Sequence, residues 1–375
     1  MVDSATENDP YQNIRPYYDR EVCGVLNKLI RDDEFISAIT RYQFPRIASW
    51  FGWFLKPAVR IYLAQKLDEV NTVQDFQMLV AGYMEKMIAR STTRLSCSGF
   101  ESLDEDEAYL FVSNHRDIAM DPAFVNWVLY QNDRNTARIA IGDNLLRKPA
   151  VSDLMRLNKS FIVNRSAKGR EVLTALGQLS SYIDYSLVHD EENVWIAQRE
   201  GRAKDGNDVT DPAILKMFYM THRKQRSFSE FLERVRIVPV SISYEFDPCD
   251  AAKAKELDAK QQVGNYEKSE YEDIESIVQG ITGNKGHVHV TFGEVITGKD
   301  TPDALAAEID RQIVDNYYLH PSNLIAAGIE SEEITEQDRN LFAQRMQGLE
   351  PAAAEILRQM YANPVINKRK QQEAA

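Results

Sequence analysis

Apolar positions recur at two spacings along the chain. From residue 10 to about 95 they fall three and four apart, as in EVCGVLNKLI and VQDFQMLVAGYMEKMIA, which gives a helix one apolar face. From 96 to about 298, short runs rich in β-branched and aromatic residues alternate with helical stretches. Tyr109–Ser113 (YLFVS), Ser160–Val163 (SFIV), Val194–Ala197 (VWIA), Ile237–Ser243 (IVPVSIS) and His287–Phe292 (HVHVTF) read as strands. Strands separated by helices predict an α/β fold, a central, mostly parallel sheet flanked by helices. Residues 301–362 return to helical spacing. Thr301-Pro302-Asp303 offers a capping hydroxyl, a proline at the first helical position and an acid in the first turn. The expected organisation is a helical region over 1–95, an α/β domain over 96–298 and a helical region over 299–375. The Lys-, Glu-, Asp- and Ala-rich stretch Ala251–Gln262 is expected to be a surface excursion rather than a core element.

Composition narrows the class. With 375 residues, 43% of them hydrophobic, the chain can build a core without disulfides or metals. A net charge of −13 argues against a nucleic-acid binder, which needs a broad basic surface. Cys23, Cys97 and Cys249 are odd in number and far apart, which suggests a reducing compartment and offers no metal-ligand spacing. Residues 1–20 are polar and acidic, so no secretory signal is expected there. The longest apolar run, Ile47–Leu55, falls short of the roughly 18 residues that span a bilayer. A cytoplasmic protein, soluble or peripheral at the inner face of the membrane, is the expectation.

One segment departs from the acidic background. Phe35–Lys66 holds Arg41, Arg46, Lys56, Arg60 and Lys66 and no acid, interleaved with Tyr42, Phe44, Trp50, Phe51, Trp53, Phe54 and Tyr62. Aromatics with Lys and Arg favour a membrane interface carrying anionic lipid. The same pattern also describes a helical hairpin packed on its own domain, with Pro45 and Pro57 marking breaks. A basic face would equally dock an acidic carrier protein.

The candidate chemistry follows the strand YLFVS. In Ser113-Asn114-His115-Arg116-Asp117-Ile118-Ala119-Met120-Asp121-Pro122, a strand runs into a histidine-containing loop, which puts the imidazole at the carboxyl edge of the sheet. Asp121 precedes Pro122 and the apolar stretch PAFVNWVLY, so it sits at a helix start. A carboxylate there can bond a ring nitrogen of His115 and fix its tautomer, and His115 can then take a proton from an alcohol. Taken alone, the same residues also describe a helix cap and a loop histidine. Three further segments bring polar groups to strand ends. They are Lys159–Arg165 (KSFIVNR), Trp195–Gly206 (WIAQREGRAKDG) and Ile237–Glu245 (IVPVSISYE). Arg165, Arg202 and Lys204 together would suit a phosphate.

These four segments, in this order, resemble the four blocks of the glycerolipid acyltransferase family, the glycerol-3-phosphate and 1-acylglycerol-3-phosphate acyltransferases. The blocks are Asn-His-x4-Asp, an aromatic-Ile-x-Arg run, a Glu-Gly-x-Arg run, and a Val-Pro-Val or Ile-Pro-Ile strand. The resemblance spans about residues 96–298. It is nearest to the bacterial glycerol-3-phosphate acyltransferase in Glu200–Gly206 (EGRAKDG), Pro239–Glu245 (PVSISYE) and Gly286–Val295 (GHVHVTFGEV). Two departures stand out. The family's acid lies five positions after its histidine, where this chain has Met120. Asp121 makes the motif His-x5-Asp, with Asp117 as the less suitable partner. The third block is one residue shorter, since Arg202 follows Gly201 directly.

The resemblance implies acyl transfer from an acyl-carrier protein or acyl-CoA thioester to a hydroxyl of glycerol-3-phosphate or 1-acylglycerol-3-phosphate. His115 would be the general base and Asp121 its orienting acid. Arg165, Glu200, Gly201, Arg202 and Lys204 would bind substrate, with no metal and no other cofactor. The rivals are a different lipid acceptor and a catalytically silent lipid-binding protein.

Other residues carry weaker signals. His287 and His289 alternate in one strand and face one side, without an evident third ligand. His189, His222 and His320 sit in polar contexts and are expected at the surface. Cys97 is expected to precede the first strand. Residues 300–360 hold twelve acids against Arg311, Arg339, Arg345 and Arg358, a solvated face.

Overall fold

The computed structural model describes residues 9–374 apart from 45–47, 265, 267, 268, 270 and 271, and apart from the side chains of 48–52. Pro45 and Arg46 lie outside the described residues, as do the side chains of Trp50 and Phe51. The chain divides into two compact units. The smaller comprises residues 1–84 and 138–175, and the larger 85–137 and 176–375.

Four helices open the chain: α1 (Asp19–Arg31), α2 (Asp33–Gln43), α3 (Ala48–Leu67) and α4 (Val73–Ser91). Strands and helices then alternate through β1 (Arg94–Ser98), β2 (Leu110–Ser113), α5 (Met120–Gln131), β3 (Arg138–Gly142), α6 (Pro149–Leu157), β4 (Ser160–Val163), α7 (Arg170–Val188) and β5 (Val194–Ala197). The chain continues with α8 (Pro212–Tyr219), α9 (Phe228–Val235), β6 (Ile237–Tyr244), α10 (Asp250–Val263), α11 (Glu272–Thr282) and β7 (His287–Phe292). It closes with α12 (Pro302–Asp315), α13 (Pro321–Ala326), α14 (Glu336–Arg345) and α15 (Pro351–Ala374).

In the smaller unit, α1 turns Val22, Leu26 and Leu29 onto Val70, Val73, Phe76 and Leu157. Spacings of three and four put those apolar residues on one face of α1. β3 and β4 form a parallel pair in register Ile139 with Ser160. Pro57 does not break its helix: α3 runs through it. The carbonyl that Pro57 leaves without an N–H belongs to Trp53, which is 71% exposed, so water can serve it. Tyr42, Phe44, Phe54, Ile61 and Tyr62 are exposed as well.

The larger unit holds five hydrogen-bonded strands in the order β1-β7-β6-β2-β5. All neighbours are parallel except β6 and β7. The sheet is thus mostly parallel and flanked by helices, as the sequence leads one to expect. β2 is central and all four of its residues are buried. Its neighbours run the same way, with Ser113 opposite Ala197 on one side and Val240 on the other. The loops that follow β2 and β5 therefore leave from one edge of the sheet.

Three expectations need correction. Ala251–Gln262 is part of helix α10, not a surface excursion. Ala254 is fully buried, against Phe342, Leu357, Met360 and Tyr361 of α14 and α15. Lys, Glu and Ala are good helix formers, and the charged residues on the inner face, Lys253 and Glu256, are buried in ion pairs. Cys97 lies within β1 rather than before it. His222 and His320 are buried, not at the surface. His222 packs on Phe231 and lies 3.3 Å from Asp184, while His320 Nε2 is 3.1 Å from Ser243 Oγ. Thr301 caps α12, its hydroxyl accepting from the Ala304 N–H. Among the described residues, no helix is long and apolar enough to cross a membrane.

Candidate active site

β2 ends at Ser113, and Asn114 continues its pairing with a side chain instead of backbone. Asn114 Oδ1 accepts from the Ile242 N–H at 2.8 Å, and its Nδ2 donates to the Ile242 carbonyl at 3.0 Å. This amide takes the place of a ladder rung, so the chain can leave the strand without orphaning either group on β6. His115 follows at once, at the carboxyl edge of the sheet. Its carbonyl accepts from the Ala203 N–H at 2.8 Å, and its ring meets Trp195 edge-on at 6.0 Å.

Asp121 sits in the first turn of α5 and is fully buried. His115 Nδ1 lies 2.8 Å from Asp121 Oδ2. The same oxygen accepts from the backbone N–H groups of Arg116 (2.6 Å) and Asp117 (2.9 Å). The other oxygen, Oδ1, accepts from the Tyr244 hydroxyl at 2.6 Å. The longer His-x5-Asp spacing is absorbed by the turn at 116–120, which wraps its amides around the carboxylate. Asp117 takes a separate task. Its Oδ1 accepts from the Ala119 and Met120 N–H groups and caps the start of α5. Burial and the nearby charge of Asp121 raise the Asp117 carboxyl above its ordinary range. Because Asp121 can only accept, Nδ1 of His115 carries the proton and Nε2 is the ring nitrogen left to take one.

A second charged layer lies behind the histidine. The Arg116 guanidinium donates to Asp208 Oδ2 at 2.6 Å and stands over the Tyr317 ring. Lys253, also buried, donates to the Arg116 carbonyl at 2.6 Å and pairs with Asp247. Burial raises Asp208 despite Arg116. At Asp247 burial also pushes upward, but the Lys253 ammonium, the Cys249 N–H and Arg116 together hold the carboxyl below its usual range. Lys285, fully buried, is pushed down to about 8 by desolvation, with Asp117 acting against the shift.

The loop after β5 carries the other candidates. Glu200 and Gly201 are exposed, and Gly201 adopts φ +77°. Arg202 lies 3.8 Å from Asp273 of α11. Lys204 pairs with Glu256 of α10, which also accepts from Lys260 at 2.8 Å. At Gly206 (φ +81°) the loop presses on α15: an added Cβ would stand 2.2 Å from the Met360 carbonyl oxygen. Asn363 Nδ2 donates to the Asp205 carbonyl at 2.6 Å. Arg165 belongs to the smaller unit. It follows β4, is exposed, and lays its stem against Gly142. His115 and Asp121 are thus in contact, Arg202 and Lys204 share the next loop, and Arg165 is part of the other unit.

Residues 94–243 match the family model described as Acyltransferase. This part of the chain is similar to acyltransferase domains. The matched residues take in the His115–Asp121 pair, the Arg202 loop and most of β6, while α10, α15 and Tyr244 lie outside them. Among solved structures, the chain is similar to the 1-acyl-sn-glycerophosphate (LPA) acyltransferase PlsC from Thermotoga maritima. The identity is 13% over 75% of this chain and 92% of that one, with a TM-score of 0.39. A comparison with curated proteins finds no match.

Sequence reasoning did not find the contacts that Tyr244, Lys253 and Asp208 make around Asp121 and Arg116. Tyr244 carried a signal as the aromatic that closes the strand IVPVSISY at the same edge as His115. Lys253 carried none, being one of several lysines in a charged helix. His287 and His289 lie on one face of β7, with Ser96 Oγ between them, 2.7 Å from Nε2 of one and 2.6 Å from Nδ1 of the other.

Proposed function

We propose that the protein transfers a fatty acyl group from an acyl-carrier protein or acyl-CoA thioester to a hydroxyl of glycerol-3-phosphate or 1-acylglycerol-3-phosphate. The observation that carries this reading is the Asp121-held His115 within a stretch similar to acyltransferase domains, beside a loop bearing Arg202 and Lys204.

In this reaction Nε2 of His115 takes the proton of the acceptor hydroxyl. The oxygen attacks the thioester carbonyl carbon, a tetrahedral oxyanion forms, and the C–S bond breaks. The imidazolium then returns its proton to the departing thiolate. Asp121 stabilises the imidazolium through Nδ1 and keeps the ring from turning. Arg202 is the better phosphate ligand of the two loop cations, because its partner Asp273 stands off at 3.8 Å whereas Lys204 is in close contact with Glu256. The product is a lipid, and the exposed Tyr42, Trp53, Phe54 and Tyr62 in the Phe35–Lys66 segment suit a peripheral contact with an anionic bilayer.

The test is acyl transfer by the purified chain in anionic vesicles, with both donors and both acceptors. His115→Ala should lower kcat by at least about 10³-fold while the protein stays folded. Equal turnover by wild type and variant would sink the mechanism. No turnover with either phosphorylated acceptor would exclude the substrate class.

A further inference from the structure

The hydrogen bond on the far oxygen of Asp121 has no counterpart in the reaction just described. Tyr244 closes β6, fully buried, its ring edge-on to Phe124 at 5.9 Å. Its hydroxyl donates to Asp121 Oδ1 at 2.6 Å. The donors on Asp121 are unevenly shared: three on Oδ2 and, among the described residues, Tyr244 on Oδ1. We infer that Tyr244 is a positioning residue, which holds the Asp121 carboxylate in the rotation that presents Oδ2 to His115 Nδ1.

The physical reason is the cost of an unpaired carboxylate oxygen. Asp121 has no exposure to water, so without the phenol Oδ1 would be buried without a donor. The carboxylate would then rotate to share the three donors of Oδ2 between both oxygens. That rotation weakens the bond to His115, since the backbone amides of Arg116 and Asp117 cannot follow it. The phenol is suited to the task. Burial and the charge of Asp121 raise its pKa well above the ordinary value, so it remains a donor wherever the fold is intact. The link also crosses the sheet, since Tyr244 ends β6 while His115 and Asp121 follow β2. The register of β6 against β2 thereby sets the angle of the carboxylate.

The test is Tyr244→Phe, which keeps the ring and removes the donor. It has two independent readouts. In protein labelled with ¹⁵N-histidine, the Nδ1 proton of His115 should be sharp in the wild type and broadened or lost in the variant. In the acyl-transfer assay, kcat should fall on the order of tenfold with KM for both substrates within about twofold. The kinetic arm rests on the acyl-transfer reading, and the resonance does not. A resonance lost in the variant, with no turnover by wild type, keeps the positioning role and rejects the reaction. An unmoved resonance overturns the inference even if kcat falls, because Tyr244 would then act elsewhere. Should the variant fail to fold, wild-type protein labelled at tyrosine Cζ decides. A slowly exchanging Tyr244 hydroxyl proton supports the bond, and fast exchange overturns it.

Discussion

The histidine site and the cationic loop lie on one edge of the same five strands, yet they are assembled in opposite ways. Asp121 gathers its ring contact and two amides from residues 115–117, at most six positions away in sequence. The loop's cations are met by carboxylates from much further along. Glu256 lies 52 positions beyond Lys204, and Asp273 further still beyond Arg202. The His115–Asp121 pair is a local motif with one long-range donor, Tyr244. The loop is a long-range assembly with little local structure of its own. On the proposed function, chemistry that needs sub-ångström geometry would be built from a short stretch of chain, and recognition left to contacts that can be tuned from outside it.

The comparison can be broken at its local end first. Asp121→Asn places an amide N–H₂ or carbonyl where a carboxylate now accepts four donors, and it removes the partner that fixes the His115 tautomer. Activity should fall by about 10³- to 10⁴-fold in a single-turnover assay. A loss below about tenfold would mean that the pair is a structural cap and not a working dyad. At the loop, Arg202→Met should raise KM for a phosphorylated acceptor by about 10- to 100-fold, with kcat and thioester KM little changed. Equal effects on both substrates would show that the loop does not discriminate phosphate.

Gly206→Ala tests whether the loop is held from α15. The added methyl meets the Met360 carbonyl at a φ that favours glycine. It should destabilise the fold by about 1–3 kcal/mol, read as a lowered Tm. An unchanged Tm would show that the loop moves freely off the helix.

The smallest effect concerns pH and guards the other measurements. His320 is buried beside His287, His289 and Tyr318, and burial drives its pKa down to about 3. The unfolded chain binds its proton near pH 6.5 and the folded chain does not. Stability is therefore full above about 6.5 and falls below it, by up to about 1.4 kcal/mol per pH unit for this group. Urea unfolding at pH 7 and pH 5 should show the loss, and His320→Gln should reduce it. An activity decline in that window must be separated from unfolding before it is assigned to His115.

Legibility in the sequence followed the same division. β2, β4, β5, β6 and β7 announce themselves because buried strands need β-branched and aromatic residues. β1 does not. As an edge strand pairing with β7 alone, it is only partly buried, so RLSCS suffices. β3, with RIAIG, has only two β-branched residues, separated by Ala and flanked by Arg and Gly, so it does not stand out. His115 and Asp121 were visible together because their contact is local. α10 was misread because its inner face is held by ion pairs rather than by an apolar stripe, and a lysine does not reveal from sequence that it will be buried. His320 was misread because what covers it, β6 and β7, is distant in sequence.

The press of Gly206 on α15 also has a consequence for how the protein comes into being. Asn363, which bonds the carbonyl of Asp205, is made 158 residues after it. A chain emerging from the ribosome can form the β2 turn and the His115–Asp121 contact once β6, with Ile242 and Tyr244, has followed. It cannot seat the cationic loop until α15 has been translated. The nascent protein would carry the His115–Asp121 pair without a seated Arg202 loop until α15 emerges.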